Sequence, residues 1–367
     1  MITYNNLFEK ITDIENIKLA IPEAAKKKRK KLAVRRALKN LDLVAEATAQ
    51  KLKNGTWRPK AIHDVRQIND GIALKKRNIV CPEFVREQIV HHAILRVCGP
   101  LFMKKFYHYS FGSVPGKGKE KAIKAIFKAI QDHRKAKYYT ILDVHHFFES
   151  VEPLVAFRAI RRTISDKKVL LLFFLILHNN LARWPNGTIK RDGLLMGMYT
   201  SPWIGNIVLD PVDHILKDDH GMYFVARYMD DIIIIHSNKR KMLKAITAAE
   251  EYLKSIGLQL KQQPAIYKVD DVPISYIGAT ITREKAVMRP APFLRAKRTA
   301  KRLAKKKKLS VYDARKILSI SGQFKHLNTH QAYKRYIAAY VSKRRCRHIV
   351  SRKDRENNVV DKKRKQF

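Results

Sequence analysis

Two apolar runs flank a short acidic segment near position 230. Residues 223–227 and 232–235 are rich in aromatic and β-branched side chains, which favour strands. Between them lies the segment Tyr228-Met229-Asp230-Asp231. Two such runs joined by a few polar residues are typical of a β-hairpin. The pattern therefore predicts a hairpin with Asp230 and Asp231 at its tip.

A third run of the same kind, residues 138–142, ends at Asp143 and is followed by Phe147 and Phe148. Alone, an acidic residue after an apolar run is typical of a cap or a turn. Two acid-bearing strands in one chain change this interpretation. Two Mg²⁺ ions about 4 Å apart need carboxylate oxygens from more than one segment. The combination favours a site for two-metal phosphoryl transfer.

Helical patterns dominate both ends of the chain. Residues 1–59 form a Lys-rich helical extension that ends in turn signals at Asn54-Gly55 and Arg58-Pro59. Within it, residues 26–31 are all Lys or Arg, and we expect either an RNA contact or a solvated helix face. Residues 295–308 combine helix-forming residues with Lys and Arg.

The charge balance indicates the kind of partner. The chain has 76 Lys and Arg residues against 32 Asp and Glu residues, a formal net charge of +44. Such a chain attracts polyanions, and its binding should weaken steeply with salt because phosphate contacts release counterions. Charge alone would also suit a ribosomal protein or an RNA chaperone. However, 46% hydrophobic residues over 367 positions can bury a substantial core, which excludes a basic disordered tail.

No apolar run is long enough to cross a bilayer. The longest, residues 169–177, is well short of the roughly 20 residues that a membrane-spanning helix needs. We therefore expect a cytoplasmic protein without a membrane partner.

The acidic motifs resemble those of reverse transcriptases. Asp143 with Phe147-Phe148 is similar to the first catalytic motif of that family, and Tyr228-Met229-Asp230-Asp231 is similar to its polymerase hairpin. The other matching segments occur in family order between about residue 60 and about residue 340. They are the fingers motifs at residues 76–82 and 109–118, the nucleotide-supporting loop and helix at residues 193–209, and the primer-grip turn at residues 276–278.

The resemblance implies a right-hand polymerase fold of the α+β class, with an antiparallel sheet in the palm. The expected divisions are a basic helical N-terminal extension (1–59), fingers (60–125), a palm with fingers insertions (126–275), and a primer grip, helical thumb and basic C-terminal tail (276–367).

The resemblance also implies roles for individual residues. Asp143 and Asp230 would bind two Mg²⁺ ions, for which Mn²⁺ can substitute, with Asp231 as an auxiliary catalytic acid and the Val144 carbonyl completing a metal shell. The implied nucleotide-binding residues are a triphosphate clamp of Arg77 with Lys75 or Lys76, the steric gate Phe148, the pair Met196-Gly197, and Lys261 as a proton donor to pyrophosphate. The implied nucleic-acid-binding residues are Lys117, Tyr276, Gly278, Arg295, Arg298 and Arg302.

One departure bears on the subgroup. Many bacterial relatives have Gln where this chain has Met196, and a similar apolar replacement is associated with diversity-generating retroelements, whose enzymes misincorporate opposite template adenine. The resemblance thus implies an error-prone, RNA-directed DNA polymerase. Its expected partners are a structured template RNA, a cDNA or DNA primer, deoxynucleotide triphosphates and a small basic helical accessory protein. Against this subgroup, Ser201 is followed by Pro202, where the subgroup commonly has Gln.

Two alternatives remain open. The first is a reverse transcriptase used in anti-phage defence, or a retron enzyme, each working with its own noncoding RNA. The second, from a different class, is a catalytically inactive RNA-binding module that keeps the fold and the positive field. Such a module would not need Asp143, Asp230 and Phe148 together in intact motifs.

Overall fold

The computed structural model describes residues 3–69, 76–179, 181–191, 193–324 and 327–363, with side chains described at all of these except 69 and 354–363. Lys75, one of the expected clamp residues, lies outside these ranges. The described residues divide into two compact units. The first holds the chain up to residue 122 together with residues 133–267, and the second holds residues 123–132 and those from 268 onward. The four divisions inferred from the sequence stay a prediction.

Eleven of the described helices begin before residue 240. They are α1 (Phe8–Thr12), α2 (Ile14–Ala24), α3 (Leu32–Lys39), α4 (Leu41–Lys53), α5 (Ile89–Lys105), α6 (Lys119–Ala129), α7 (Phe147–Ser150), α8 (Pro153–Arg161), α9 (Lys167–His178), α10 (Ser201–His214) and α11 (Lys239–Ser255). π-helical turns at Phe84–Gln88 and Ile215–Asp219 precede α5 and follow α10.

Eight strands lie in the described residues between positions 62 and 268. They are β1 (Ile62–Asn69), β2 (Lys76–Val80), β3 (Tyr138–Asp143), β4 (Leu181–Arg183), β5 (Ile189–Arg191), β6 (Phe224–Tyr228), β7 (Asp231–His236) and β8 (Tyr267–Lys268).

The N-terminal extension is helical, as predicted, but its cationic cluster is not on a helix. Residues 26–30 form turns between α2 and α3, and Lys27 adopts a left-handed backbone conformation with φ of 64°. Like charges three or four positions apart repel one another on a helix, so six consecutive cations disfavour a continuous one. The expectation of a solvated helix face is therefore wrong, and the cluster lies in a connection.

The sheet that carries the acids has the strand order β6-β7-β3-β8. Antiparallel pairing joins β6 to β7 and β7 to β3. The four isoleucines 232–235 are all fully buried, so both faces of β7 are covered, which explains why the run is continuously apolar. Helices α10 and α11 pack against β6 and β7. The hairpin and the strand before Asp143 are confirmed.

A second sheet lies in the same unit, with the order β2-β1-β4-β5. Its central pair, β1 with β4, is parallel and joins Ile62 to Leu181, whereas the outer pairs are antiparallel. A small apolar cluster of Val80, Ala182, Leu195 and Met198 packs beside it. This sheet therefore brings β2 close to the loop that precedes α10.

The second unit contains a small antiparallel sheet, in the order β11-β10-β9, and a group of helices. Its elements are β9 (Ile274–Tyr276), β10 (Ala279–Ile281), β11 (Ala286–Met288), α12 (Pro290–Ala304), α13 (Val311–Gln323), α14 (His330–Tyr333), a π-helical turn at Lys334–Ala338 and α15 (Lys343–Lys363). Ser310 and Asp313 form a capping box at the start of α13. The α+β class is confirmed by the strands and helices of both units.

A search of the described helices finds none that combines the length and the apolar character needed to cross a bilayer.

Candidate active site

The hairpin of β6 and β7 has a two-residue turn. Tyr228 pairs with Asp231, which leaves Met229 and Asp230 as the connecting residues. Met229 has a φ of 59°, in the left-handed region that non-glycine residues seldom adopt. A residue with positive φ at this position is what tight hairpin turns require, because their backbone must follow the twist of the flanking strands. The turn thus places the two acids next to each other at the end of a buried sheet.

The neighbouring strand brings the third acid to the same place. In the β3–β7 ladder, Asp143 lies directly opposite Asp231. Side chains that are directly opposed in an antiparallel pair project to the same face, with Cβ atoms about 4.5–5.5 Å apart. Asp230 follows in the turn. The structure therefore makes Asp143 and Asp231 cross-strand partners at one end of the sheet, with Asp230 in the adjoining turn.

A third segment completes this edge. The Lys261 N–H donates to the Asp143 carbonyl over 2.9 Å, and the His145 N–H donates to the Gln259 carbonyl over 2.9 Å. The Lys261 Nζ also lies 3.2 Å from Asp143 Oδ2. Lys261, predicted as a nucleotide-binding residue, is thus part of the acidic cluster. Its ammonium reduces the repulsion between closely spaced carboxylates.

The backbone at Val144 faces the hairpin. Val144 is the residue bridged to Leu260, and the hydrogen bonds of that bridge use the Asp143 carbonyl and the His145 N–H on either side of it. Backbone polar groups alternate between the two edges of a strand, so the Val144 carbonyl points towards the β7 side. This orientation agrees with the predicted role of Val144 as a backbone metal ligand.

The acids form an open set of metal ligands. Among the described residues, no three His, Cys, Asp or Glu side chains converge as a preformed metal-binding group. Mg²⁺ does not require one, because it is usually held by one or two carboxylates together with substrate phosphates and water. Hard carboxylate oxygens from Asp143, Asp230 and Asp231, with the Val144 carbonyl, match what Mg²⁺ or Mn²⁺ prefers. The residues therefore fit a divalent metal.

The predicted nucleotide residues Met196 and Gly197 are tied to β2. The Val80 N–H donates to the Met196 carbonyl over 2.7 Å. Gly197 has a φ of 114°, and a Cβ at this position would lie 2.2 Å from the Val80 carbonyl oxygen. Only glycine permits both the backbone conformation and the close approach. The Met196 side chain is half-buried and contributes, with Asn78, Val80 and Glu149, to the lining of a small cleft.

The steric-gate candidate Phe148 lies in α7, shortly after Asp143 and Val144. Its ring is half-buried and packs edge-on against Phe147, with ring centroids 5.3 Å apart. The Phe148 carbonyl accepts a hydrogen bond from the Leu194 N–H over 2.6 Å. This contact links α7 to the loop that carries Met196. Phe148 and Met196 are thus held in neighbouring segments.

The clamp candidates Lys76 and Arg77 lie at the start of β2, at the opposite end of the strand from Val80. They pair with Asn69 and Ile68 of β1, and both side chains are exposed. The structure thus places them on β2, the strand whose Val80 contacts the Met196 carbonyl, but several residues from that contact. Their predicted contact with triphosphate stays a prediction.

The reverse transcriptase (RNA-dependent DNA polymerase) family model matches residues 49–281, which is more than half of the chain. The chain belongs to the reverse transcriptase family. It is similar to Protein YkfC of Escherichia coli, with 24% identity over 136 residues, which cover 36% of each protein. It also resembles the structure of apo telomerase from Candida tropicalis, with a TM-score of 0.50 and 12% identity, over 72% of this chain and 53% of that one. The chain therefore spans about a third of the curated relative and about half of the telomerase chain.

The telomerase likeness supports the fold alone, and it agrees with the α+β architecture described above. The family match covers every element that carries an acid of the candidate site, from β3 to β7. Membership of the reverse transcriptase family thus confirms the resemblance inferred from the motifs.

Of the predicted nucleic-acid-binding residues, Lys117 is the one that lies in the first unit. This residue is half-buried, and its Nζ donates to the His108 carbonyl. Burial is the main cause that lowers the pKa of Lys117 below its ordinary value. The side chain therefore has a structural contact of its own within the fingers motif.

The other predicted contacts lie in the second unit. Tyr276 is only 1% exposed, so its ring packs in the core and leaves the turn at Ile277-Gly278 as the accessible part of this motif. Both turn residues have positive φ. On α12, Arg295 is half-buried, whereas Arg298 and Arg302 are exposed. Arg298 and Arg302 are thus the predicted cations best placed to meet phosphates.

Sequence reasoning missed the second pair of cations on α12. Lys297 Nζ lies 4.3 Å from the ring centroid of Tyr336, and Lys301 Nζ lies 5.6 Å from that of Tyr340. These are cation–π contacts, in which the ring faces attract the ammonium groups. The sequence contains the i, i+4 spacing of Lys297 with Lys301 and of Tyr336 with Tyr340. It does not contain a signal that these two segments pack against each other.

Sequence reasoning also missed the residues that support the catalytic turn. Arg227 and Asp213 are both fully buried and form an ion pair, and Asn206 lies beside them. The available signal was a charged residue inside the apolar run before Tyr228. Nothing in the sequence assigns Asp213 as its partner.

Proposed function

We propose that this protein is an RNA-directed DNA polymerase that makes cDNA from a structured RNA template by two-metal nucleotidyl transfer. The observation that supports it is the cross-strand register of Asp143 and Asp231, with Asp230 in the adjoining turn. Two carboxylates on one face and a third next to them give hard oxygen ligands from two segments, as a pair of Mg²⁺ ions needs.

The residues of the site have separable roles in this mechanism. Two bound Mg²⁺ ions would activate the primer 3′-hydroxyl and stabilise the charge on the leaving pyrophosphate. Asp143, Asp230 and Asp231 would hold them, with the Val144 carbonyl as a further ligand. Lys261, whose Nζ lies 3.2 Å from Asp143 Oδ2, would balance the charge on that carboxylate and donate a proton to pyrophosphate.

The nucleotide would be positioned by the segments around this cluster. Phe148 would exclude a ribose 2′-hydroxyl by its bulk, and Lys76 with Arg77 would bind the triphosphate. Met196-Gly197, held against Val80, would support the nascent base pair. In the second unit, Arg298 and Arg302 would contact the phosphates of the template–primer duplex.

Primer extension with Asp230→Asn tests the proposed activity. We expect deoxynucleotide incorporation to be abolished while RNA affinity stays within about twofold, because one isosteric change hardly alters a chain with a net charge of +44. The matched control is Asp42→Asn, an exposed acid that pairs with Lys18 in the same unit. Persistent incorporation by Asp230→Asn would reject the assignment. A wild-type protein that binds RNA without incorporation would favour the catalytically inactive RNA-binding module.

For the biological role, we propose error-prone synthesis within a diversity-generating retroelement. The supporting observation is the apolar Met196 side chain in the cleft beside Val80, where an amide would otherwise offer hydrogen bonds to the nascent pair. The Ser201-Pro202 step departs from this subgroup, which commonly has Gln after the Ser. The Ser201 hydroxyl donates to the Leu195 carbonyl over 2.7 Å, and Pro202 occupies the first turn of α10.

Sequencing of cDNA made on a defined RNA, together with the nucleic acid that copurifies, tests this role. Errors concentrated at template adenines, reduced in Met196→Gln, would support diversification. Accurate copying at adenines would reject it, and a single copurifying noncoding RNA copied faithfully would favour defence or a retron. Copurification of a small basic helical protein would support the expected accessory partner.

A further inference from the structure

We propose that Arg227 is a positioning residue for the catalytic turn, fixed in place by Asp213 and Asn206. This inference rests on the proposed function, because it concerns the geometry of the acids that would bind metal. Arg227 is the residue of β6 that precedes Tyr228, and its guanidinium points into the core rather than into the site. Its effect would therefore pass through the backbone of Met229 and Asp230.

The ion pair behind the turn is built for fixed geometry. Arg227 and Asp213 side chains are each 0% exposed. The Arg227 Nε lies 2.9 Å from both Asp213 carboxylate oxygens, and Nη2 lies 2.8 Å from Oδ2. Burying two charges is unfavourable unless their geometry is close to ideal and the remaining donors are satisfied. This fork-like contact meets the first condition.

The remaining donors meet the second condition, and one of them reaches the turn. Arg227 Nη1 donates to the Asn206 side-chain oxygen over 2.8 Å and to the Met229 carbonyl over 3.2 Å. Nη2 also lies 3.4 Å from the Asn206 carbonyl oxygen. A guanidinium has five N–H donors in a rigid plane, whereas a Lys ammonium has three and no fork. Lysine could therefore keep the charge but not this set of contacts.

The turn also contacts the segment that contains Gly112. A Cβ on Gly112 would lie 2.4 Å from the Met229 backbone nitrogen, so the two backbones are in direct contact. The Asn206 Nδ2 donates to the Gly112 carbonyl over 2.8 Å. The Phe111 N–H donates to the Arg227 carbonyl over 2.8 Å. Asn206 thus joins the fingers motif at residues 109–112 to the guanidinium that holds the turn.

These contacts explain how an unfavourable backbone conformation persists. Met229 has positive φ without being glycine, and such residues remain in that conformation only where the surroundings fix it. Asp230 follows Met229 directly, so a shift of the turn would move its carboxylate. A misplacement of about 1 Å at a reacting centre can reduce a rate by about 100-fold. The network is thus placed to set the positions of the metal ligands.

Arg227→Lys is the direct test, with Arg227→Gln as a second variant. We expect kcat for deoxynucleotide incorporation to fall by about 100-fold, with the KM for nucleotide and the affinity for RNA each within about threefold. Since the metal ligands would be displaced, Mn²⁺ affinity measured by isothermal titration calorimetry should also fall several-fold. A kcat and an Mn²⁺ affinity equal to those of the wild type in a folded Arg227→Lys protein would overturn the inference.

Two further variants keep the test decisive if the ion-pair variants do not fold. Gly112→Ala leaves Arg227 and Asp213 intact but presses on Met229, and we expect the same fall in kcat and in Mn²⁺ affinity. Leu253→Ala removes a fully buried side chain of α11 in the same core, and it should lower thermal stability without either effect. If Gly112→Ala behaves like Leu253→Ala, the inference fails.

Failure of the positioning role of Arg227 can be distinguished from failure of the proposed function. If Asp230→Asn retains incorporation, the proposed function fails whatever Arg227 does. If Asp230→Asn is inactive while Arg227→Lys and Gly112→Ala have normal kcat, the proposed function stands and the positioning role is rejected.

Discussion

The acid-bearing sheet of the first unit and helix α12 of the second unit differ in how they hold charge. In the sheet, a few carboxylates lie at the ends of strands whose isoleucines 232–235 are fully buried, and a buried ion pair supports the turn. On α12, Arg298 and Arg302 are exposed, and Lys297 and Lys301 lie over tyrosine rings. One region fixes single charges, whereas the other spreads many charges over a surface.

The difference indicates what each region tolerates. Interactions between exposed charges are screened by salt and change little when one member is lost. Groups fixed by buried neighbours act at defined positions, and each is needed. Substitutions in the sheet should therefore remove activity one residue at a time, and substitutions on α12 should weaken binding in small, additive steps.

The largest expected effect is the loss of a carboxylate from the sheet. Asp143→Asn should reduce incorporation by at least about 1,000-fold, because it removes a charged ligand for the metals that stabilise the transition state. The matched substitution in the second unit is Asp271→Asn, an exposed acid 3.6 Å from Lys268, and it should leave incorporation within about twofold. Single-turnover primer extension measures both. Similar effects of the two changes would contradict the expectation that the sheet depends on single charges.

A substitution at Gly197, where the backbone conformation requires glycine, should reduce incorporation nearly as strongly. In Gly197→Ala, the new Cβ would overlap the Val80 carbonyl and force an unfavourable φ, at a cost of about 3 kcal/mol or a displacement of the loop. We expect roughly 100-fold less incorporation. Gly187→Ala, at a φ of 86° with open space around the Cβ, is the control for backbone strain alone. Equal activity of the two variants would show that the close contact with Val80 is unimportant.

Phe148, the predicted steric gate, should affect the selectivity between deoxynucleotides and ribonucleotides rather than the overall rate of incorporation. Phe148→Ala should raise kcat/KM for ribonucleotides relative to deoxynucleotides by about 10- to 100-fold, the range that a change of shape in an apolar pocket can supply. Tyr139→Ala would remove a buried ring from β3, outside the predicted gate, without that effect. Competition between labelled nucleotides measures the ratio. An unchanged ratio in Phe148→Ala would assign its ring to packing.

A buried acid near the supporting ion pair should make stability depend on pH. Burial, and then the charge of Asp213, raise the pKa of Asp210 from 3.8 to about 6. Between about pH 4 and pH 6, the folded state retains a proton that the unfolded state loses, so the free energy of unfolding decreases as pH rises. Asp210→Asn should remove this penalty and increase stability by about 2–3 kcal/mol above pH 6, but not below pH 4.

Urea denaturation at pH 4, 6 and 8 measures the effect. The Asn side chain can still accept the hydrogen bond from the Tyr107 N–H, so the change isolates the charge. His214, 3.6 Å from the Asp210 carboxylate, should be replaced in a parallel variant to separate its own titration. An equal gain in stability at all three pH values would contradict the expectation.

The smallest effects should come from α12. Arg298→Gln and Arg302→Gln should each weaken template–primer binding by a few-fold and reduce the slope of log affinity against log salt by about 0.7–0.9, as expected for one phosphate contact. Lys297→Gln and Lys301→Gln, whose ammonium groups lie over tyrosines, should change the slope less. Fluorescence anisotropy at several salt concentrations measures the slopes. A loss above about 100-fold from one arginine would show that α12 also fixes single positions.

Local sequence patterns predicted the strands and the hairpin of the site. They did not predict which residues distant in sequence form contacts there. The hairpin and the strand before Asp143 followed from apolar runs that need two buried faces. The Arg227–Asp213 pair did not, because a buried charge gives no periodic signal and its partner can lie on any packed element. The Lys261–Asp143 contact joins segments 118 positions apart. The cationic segment before α3 was misjudged because helical propensity was considered without the repulsion among six cations.

The pairing of Asp143 with Asp231 also determines when the site can form during synthesis. Strand β3 leaves the ribosome about ninety residues before its partner β7. At a synthesis rate of 5–20 residues per second, this interval lasts roughly 5–20 s. During it, β3 has been made but β7 has not. A nascent chain that has not reached residue 236 therefore contains Asp143 but lacks the complete strand that places an acid opposite it. Asp143 can thus pair with Asp231 only after about ninety further residues have been made, and a chain interrupted before β7 cannot form this pair.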